Sequence, residues 1–287
     1  MSFVPITGFL ADAKGYAVGH FNINNLEFTQ AIMEAAVEEE SPVILGVSEG
    51  ALKYMGLSYT VAMARAAAAG CSVPVALHLD HGGSFALVMQ CIRAGFSSVM
   101  IDGSHFSLEK NMALTRKVVE AAHAVGVSVE GELGTIGNAD DGPSGREEGG
   151  LVKPEEAERF WRETGVDALA IAVGTAHGLY RGEVRIRFDL IEEVARRVGA
   201  PLVLHGGSGI PDDAVRRAIK SGMAKVNVNT ENQVAFTATA RRILTEKPDL
   251  FDPRRYLGPA REAVRETVRN KIRLFGSNGR ARGKKGV

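Results

Sequence analysis

The chain returns eight times to one short pattern, an apolar run rich in β-branched residues. "YAVGHFNI" starts at Tyr16, "PVILGVS" at Pro42, "VPVALHLD" at Val73 and "SSVMIDGS" at Ser97. "VSVEGELG" from Val127, "DALAIAVGT" from Asp167, "PLVLHGGS" from Pro201 and "KVNVNT" from Lys225 complete the set. Most are apolar throughout rather than alternating, as strands covered on both faces of a parallel sheet are. Helical patterns lie between them: Ile32, Met33, Ala36 and Val37 form one stripe within 25–39, and Leu108, Met112, Val119 and Ala122 form another within 107–124. Pro154 and Pro211 stand at helix starts, where a missing N–H costs least, and acidic residues follow in the first turn. Eight βα units in roughly 230 residues, with no linker between them, predict an α/β fold, a (β/α)8 TIM barrel. The expectation is one domain over 1–287, with an extra C-terminal helix over roughly 258–275 and a flexible basic tail over 276–287. A doubly wound open sheet is the alternative.

Charge and cysteine usage narrow the setting. Lys+Arg and Asp+Glu number 34 each, so no net field favours nucleic acid or an anionic membrane surface. Cys71 and Cys91 match neither a disulfide framework nor a metal spacing, and are expected to be reduced helix-face residues of a cytoplasmic protein. The first residues lack the basic and apolar regions of a signal peptide, and no run approaches the ~18 apolar residues of a membrane span. The segment from Glu132 to Pro154 has no apolar period and five glycines from Gly137 to Gly150, the composition of a lid.

A parallel barrel carries its chemistry where the strands end. Those ends read Asn22, Ser48, Asp80–His81, Asp102, Glu132, His177, His205 and Asn227–Asn229. His81, His177 and His205 follow strands 3, 6 and 7. Three neutral imidazoles with a fourth position open suit a catalytic divalent metal, zinc best of all. Spacing alone equally suits three core histidines, each with its own hydrogen bond. Asp80, beside His81, stands where a general acid/base would act on a polarised substrate, or where a carboxylate would orient an imidazole. His20, His78 and His105 read as structural, and His123 as a surface residue. "HGGSG" from His205 and "VNVNTEN" from Val226 follow strands 7 and 8, the loops that hold phosphate in many barrels. Gly206 and Gly207 would let the backbone approach an anion, and Ser208 and Thr230 would add hydroxyl donors.

Taken together, "GYAVGHFNINNLEFTQAI", "HLDHG", "GFSSVMIDGSH", "VSVEGELGTIG", "AVGTAHGLY", "PLVLHGGSGIP", "KVNVNTENQ" and "YLGPAREAV" resemble the class II, metal-dependent fructose-bisphosphate and tagatose-bisphosphate aldolases along essentially the whole chain. The resemblance implies a lyase of carbohydrate metabolism, serving glycolysis and gluconeogenesis, with zinc on His81, His177 and His205. It implies that Asp80 moves the proton of the substrate's C4 hydroxyl. Gly178, Gly206, Gly207, Ser208, Asn227, Val228, Asn229 and Thr230 match the segments that bind dihydroxyacetone phosphate, and Asn22 and Ser48 match substrate contacts. Asp102 and Glu132 match carboxylates flanking the metal, with a second cation beside them or a monovalent cation near the phosphate as further expectations. The family's relatives are homo-oligomers, so a dimer or tetramer is expected.

One position departs from the family. The loop base that removes a proton from the ketone's hydroxymethyl carbon is typically Glu; counting on from Glu132 lands on Asp140, with Asp141 beside it. "GTAHGLY" is closer to the tagatose branch, "ELGTIG" and "YLGPARE" to the fructose branch, and fructose 1,6-bisphosphate is the expected substrate. A metal-dependent barrel hydrolase is the rival from another class, though such sites draw a histidine pair from strand 1 and "GHFNIN" offers none. A non-catalytic sugar-phosphate sensor would need neither Asp80 nor the acidic loop. Lys225 begins the last run and is expected near the opposite end of the barrel, which disfavours a Schiff-base mechanism.

Overall fold

The computed structural model describes residues 3–137, 150–180 and 182–281. Eight strands close in chain order into a parallel barrel: β1 (Val18–Asn22), β2 (Val43–Ser48), β3 (Val75–Gly82), β4 (Ser98–Ile101), β5 (Ser128–Leu133), β6 (Ala168–Ile171), β7 (Leu202–Leu204) and β8 (Met223–Val228). β1 pairs with β8, so no sheet edge is left, and the closed barrel rather than the open sheet is the architecture.

A short helix α1 (Thr7–Leu10) precedes the barrel and plugs its lower mouth. Ile6, Phe9 and Leu10 pack there against inward residues Val18, Ile44, Ala76, Met100, Ala168 and Val203. The outer helices are α2 (Leu26–Glu38), α3 (Glu49–Met55), α4 (Leu57–Ala68), α5 (Phe85–Ala94) and α6 (Leu108–His123). They continue as α7 (Pro154–Thr164), α8 (Phe188–Arg197), α9 (Asp212–Ser221), α10 (Thr230–Glu246) and α11 (Arg254–Phe275). Their apolar stripes and the outward residues of the strands form the main core. Pro154 is the first residue of α7 and Pro211 the cap of α9, with Glu155, Glu156, Asp212 and Asp213 in the first turns.

Four expectations need correction. The extra C-terminal helix begins at Arg254, before position 258, with Pro259 inside it, one turn past the start, where the ring leaves the Arg255 carbonyl without its i+4 donor. Residues 276–281 are held rather than loose: Ser277 is fully buried on Ser41, and Gly279 and Ala281 donate backbone N–H to Glu39 and Glu40 at 2.8 Å each. Cys71 follows α4 rather than lying on a helix face, and both cysteines are free. His105 is exposed in the loop after β4, its ring tilted against that of Phe106. His123 lies on α6 and pairs with Asp167 at 2.8 Å.

The barrel interior departs from the usual filling of branched apolar side chains. His20, His78, Glu130 and Lys225 are all fully buried in it. Gly46 makes room for one of them: a Cβ there would lie 2.0 Å from His20 Nε2.

Candidate active site

The strand ends surround a cavity of about 370 Å³ whose lining includes Asn22, Ser48, Asp80, His81, Asp102 and His177. Gly178, Gly206, Ser208, Asn227, Asn229 and Thr230 complete the opposite wall, with Ile136 between.

Asp80 and His81 are neighbours on β3, and in a regular strand they would point to opposite faces. The pairing of β3 with β4 shifts register between Leu79 and Gly82, and His81 has a φ of +50°. This irregularity turns both side chains into the cavity, the kind of local strain that bulges place beside functional groups.

The imidazoles of His81, His177 and His205 converge. Ring centroids are 4.9 Å apart for His81–His177, 4.6 Å for His81–His205 and 5.8 Å for His177–His205. One nitrogen from each lies within 4.8 Å of the others. Two of them, His81 and His205, are held on their far sides by acceptors. His81 Nδ1 is 2.8 Å from Asp102 Oδ2, whose other oxygen accepts from the Ser104 N–H and hydroxyl. His205 Nε2 is 2.9 Å from Glu130 Oε1. His177 Nε2 is buried without a hydrogen-bond partner.

The electrostatics suit a cation. Burial works against a charge on His81, yet Asp80, Asp102 and Glu132 overcome it and push its pKa up to about 10. Burial and the charge on His81 hold His177 down to about 4. Burial, with Asp102 nearby, pushes Glu132 up to about 8. Carboxylates thus gather around a proton on His81 that a divalent cation would displace, and two neutral imidazoles stand ready as ligands. The donor set fits zinc. His81, Asp102 and Glu132 form a second group of possible ligands within 4.8 Å.

Asp80 is held from two sides. Asn22 Nδ2 donates to Oδ2 at 2.8 Å and Asn227 Nδ2 to Oδ1 at 3.3 Å. Burial opposes its ionisation, but the neighbouring imidazoles of His20, His81 and His205, with the Lys225 ammonium, outweigh that and hold the carboxyl well below its ordinary range. His20 and His78 also come within metal-ligand reach of Asp80. Burial, with Lys225 close by, depresses the pKa values of both imidazoles, and the Lys225 ammonium opposes a cation there.

The phosphate side is built from the β7 loop and the start of α10. Gly178 and Gly206 have φ of +98° and +68°, and a Cβ on Gly206 would meet Ala176 O at 2.3 Å. Ser208 Oγ accepts from Asn229 N and Glu231 N, each at 3.3 Å, joining the loop to the helix. Asn229 caps α10 without a side-chain bond of its own, Ser208 supplies the acceptor for the Glu231 N–H instead, and Asn229 and Thr230 at this helix start line the cavity. Gly207 and Val228 do not line the cavity: a Cβ on Gly207 would strike Val226, and the Val228 side chain packs in the outer core. Only their backbones could serve a ligand.

Asp140 and Asp141 lie outside the described residues. Lys225 corrects its expectation, because it sits fully buried at mid-barrel, 2.9 Å from Glu130 Oε2, rather than at the far end. Sequence reasoning also missed Glu130, since a carboxylate inside an apolar run carries no sign of what it faces. Tyr180 was missed too; its hydroxyl accepts from Ala176 N and donates to Gly206 O at 2.8 Å, bracing the loop.

Known proteins resemble this chain in sequence and in fold. A protein of Bacillus subtilis (strain 168) named "Probable fructose-bisphosphate aldolase" is 53% identical over 98% of this chain and 100% of its own length. The fructose-bisphosphate aldolase of Staphylococcus aureus (strain Mu50) is 51% identical over the same shares. The crystal structure of the YdjI aldolase from Escherichia coli K12 superposes with a TM-score of 0.86 at 33% identity, over 97% of this chain and 99% of that one. The family model described as fructose-bisphosphate aldolase class-II matches residues 9–280, and the chain belongs to that family.

Proposed function

We propose that this chain catalyses the reversible, zinc-dependent cleavage of fructose 1,6-bisphosphate to dihydroxyacetone phosphate and glyceraldehyde 3-phosphate. The observation that carries the reading is the convergence of three imidazoles on one cavity with an ionised, doubly tethered Asp80 beside them. His81, His177 and His205 would hold the metal. Bound there, zinc supplies Lewis acidity that stabilises negative charge on the ketone oxygens as the C3–C4 bond breaks.

The chain's own residues supply the rest. Asp80 takes the proton of the C4 hydroxyl as the aldehyde forms, and returns it in condensation. Asn22 and Asn227 hold that carboxylate in one orientation. The backbone of Gly178, Gly206, Gly207 and Val228, with Ser208, Asn227, Asn229 and Thr230, binds the phosphate of the ketone half, and Ser48 meets the substrate across the cavity. Asp140 returns a proton to the hydroxymethyl carbon. Asp102 orients His81, and with Glu132 offers a place for a second cation. Lys225 does not line the cavity and its Nζ is engaged by Glu130 and Asn227, which supports a route without a Schiff base. Among the described residues no helix is long and apolar enough to cross a membrane. A homo-oligomeric, cytoplasmic enzyme is the matching reading, checked by sedimentation and fractionation.

The test is coupled detection of dihydroxyacetone phosphate from fructose and tagatose 1,6-bisphosphates. Fructose bisphosphate should be the better substrate, EDTA should abolish turnover, and zinc or cobalt should restore it. Preference for tagatose bisphosphate would correct the sugar alone. Full activity in metal-free protein, with borohydride trapping of a substrate adduct, would overturn the mechanism.

A further inference from the structure

Two opposite charges are sealed inside the barrel. The Glu130 carboxylate and the Lys225 ammonium lie 2.9 Å apart, and neither side chain has any exposure. No step of the reaction proposed above uses them. A buried ion pair contributes little net stability, so its presence asks for another reason.

Each member touches a group that the reaction does use. Glu130 Oε1 lies 2.9 Å from His205 Nε2. An ionised carboxylate only accepts, so this nitrogen carries the hydrogen. His205 Nδ1, which faces His81 Nε2 at 2.9 Å, is left with its lone pair toward the centre of the three imidazoles. Lys225 Nζ donates to Asn227 Oδ1 at 2.9 Å. An ammonium only donates, so the amide oxygen must face Lys225 and the NH2 must face the other way. That NH2 reaches Asp80 Oδ1.

We infer that the Glu130–Lys225 pair is one positioning device serving both halves of the site. Glu130 fixes His205 as the Nε2–H tautomer with Nδ1 as its metal-binding atom, and Lys225 fixes the Asn227 amide so that it aims Asp80. The inference rests on the zinc-aldolase reading and deepens it. Pairing also explains why neither charge stands alone. An unpaired ammonium below three imidazoles would repel a divalent cation, and an unpaired carboxylate would draw the cation down from the cavity. Together they orient both groups while adding no net charge beneath the metal.

The wild-type holoenzyme gives the direct test. 15N spectra of zinc-loaded, histidine-labelled protein should show His205 protonated at Nε2 and metal-bound at Nδ1; binding through Nε2 overturns the inference. The variant Glu130→Gln/Lys225→Met removes both charges with little change of volume. Zinc affinity, read by chelator competition, should weaken by roughly 10–100-fold, as loss of a carboxylate behind a ligating histidine does. The kcat per bound zinc should fall by about tenfold or more with KM little changed, because a misaimed Asp80 affects the chemical step. A pair that only supports the fold would lower the melting temperature and leave zinc affinity and kcat per bound zinc at wild-type values, and that result overturns the proposal. If the double variant does not fold, the 15N measurement decides. If wild-type protein shows no zinc-dependent cleavage, the function reading fails, while the nitrogen that binds zinc still tests the tautomer.

Discussion

Asn22 on β1 donates to Asp80 on β3 at 2.8 Å, across 58 residues of chain and over the top of β2. Asn227 from β8 reaches the second oxygen of the same carboxylate. Three strands therefore converge on one acid, and the barrel's closure sets its direction.

The first prediction concerns that acid. Asp80→Ala should keep zinc near one per chain, because none of the three proposed ligands takes its hydrogen bond from Asp80. Its kcat should fall by roughly 10²–10⁴, the usual worth of general acid–base catalysis. Metal analysis and steady-state kinetics on one preparation check it. Zinc lost in step with activity would make Asp80 a support for the metal.

The eight-strand count, the cavity at the strand ends and most of its lining residues were legible in the sequence. Apolar runs and polar strand ends are local signals, and the barrel converts them into positions. What could not be read depended on contacts between distant strands. Asp80 and His81 are adjacent in the chain, but strand alternation alone would have sent their side chains apart, and the φ of His81 that brings both into the cavity leaves no mark in the sequence. Lys225 looked like the start of a strand because its run opens there, yet β8 begins earlier, at Met223, and carries Lys225 to mid-barrel. Its partner Glu130 lies 95 residues away, and nothing local connects the two.

The second prediction tests the packing beneath the site. In Gly46→Ala the new Cβ would stand 2.0 Å from His20 Nε2, and the imidazole is enclosed and has nowhere to retreat. Overpacking of this kind should cost about 1–3 kcal/mol in urea denaturation. The same substitution made in His20→Ala should cost clearly less, since the clash has one partner. Equal costs in both backgrounds would show that the strain arises elsewhere.

The third prediction concerns the loop position where this chain departs from its relatives. If Asp140 moves the proton of the hydroxymethyl carbon, Asp140→Ala should suppress exchange of that proton of dihydroxyacetone phosphate with solvent. Asp141→Ala and Asp80→Ala should spare it, because Asp80 acts on the other half of the substrate. Deuterium wash-in, with zinc content checked for each variant, reads this directly. Exchange that survives in Asp140→Ala and fails in Asp141→Ala would move the base by one residue. Normal exchange in both would place it outside the loop.

The last prediction follows from burying imidazoles. Burial, reinforced by Lys225, lowers the His20 pKa from 6.5 to about 3. The unfolded chain therefore binds a proton between these values that the folded chain does not, so stability rises with pH across the window and is lost as pH falls from about 6.5. Each such histidine contributes a slope of up to about 1.4 kcal/mol per pH unit. Glu132 acts oppositely in metal-free protein: its pKa is raised to about 8, so the folded state holds the extra proton there. A single pH–stability curve would mix the two, but the difference between wild type and His20→Gln cancels the Glu132 contribution. In metal-free protein, the advantage of wild type over His20→Gln should shrink by roughly 2–3 kcal/mol between pH 7.5 and 4.5. Urea denaturation at several pH values measures it. Parallel curves for the two proteins would mean that His20 is protonated in the folded barrel, and that its burial carries no acid sensitivity.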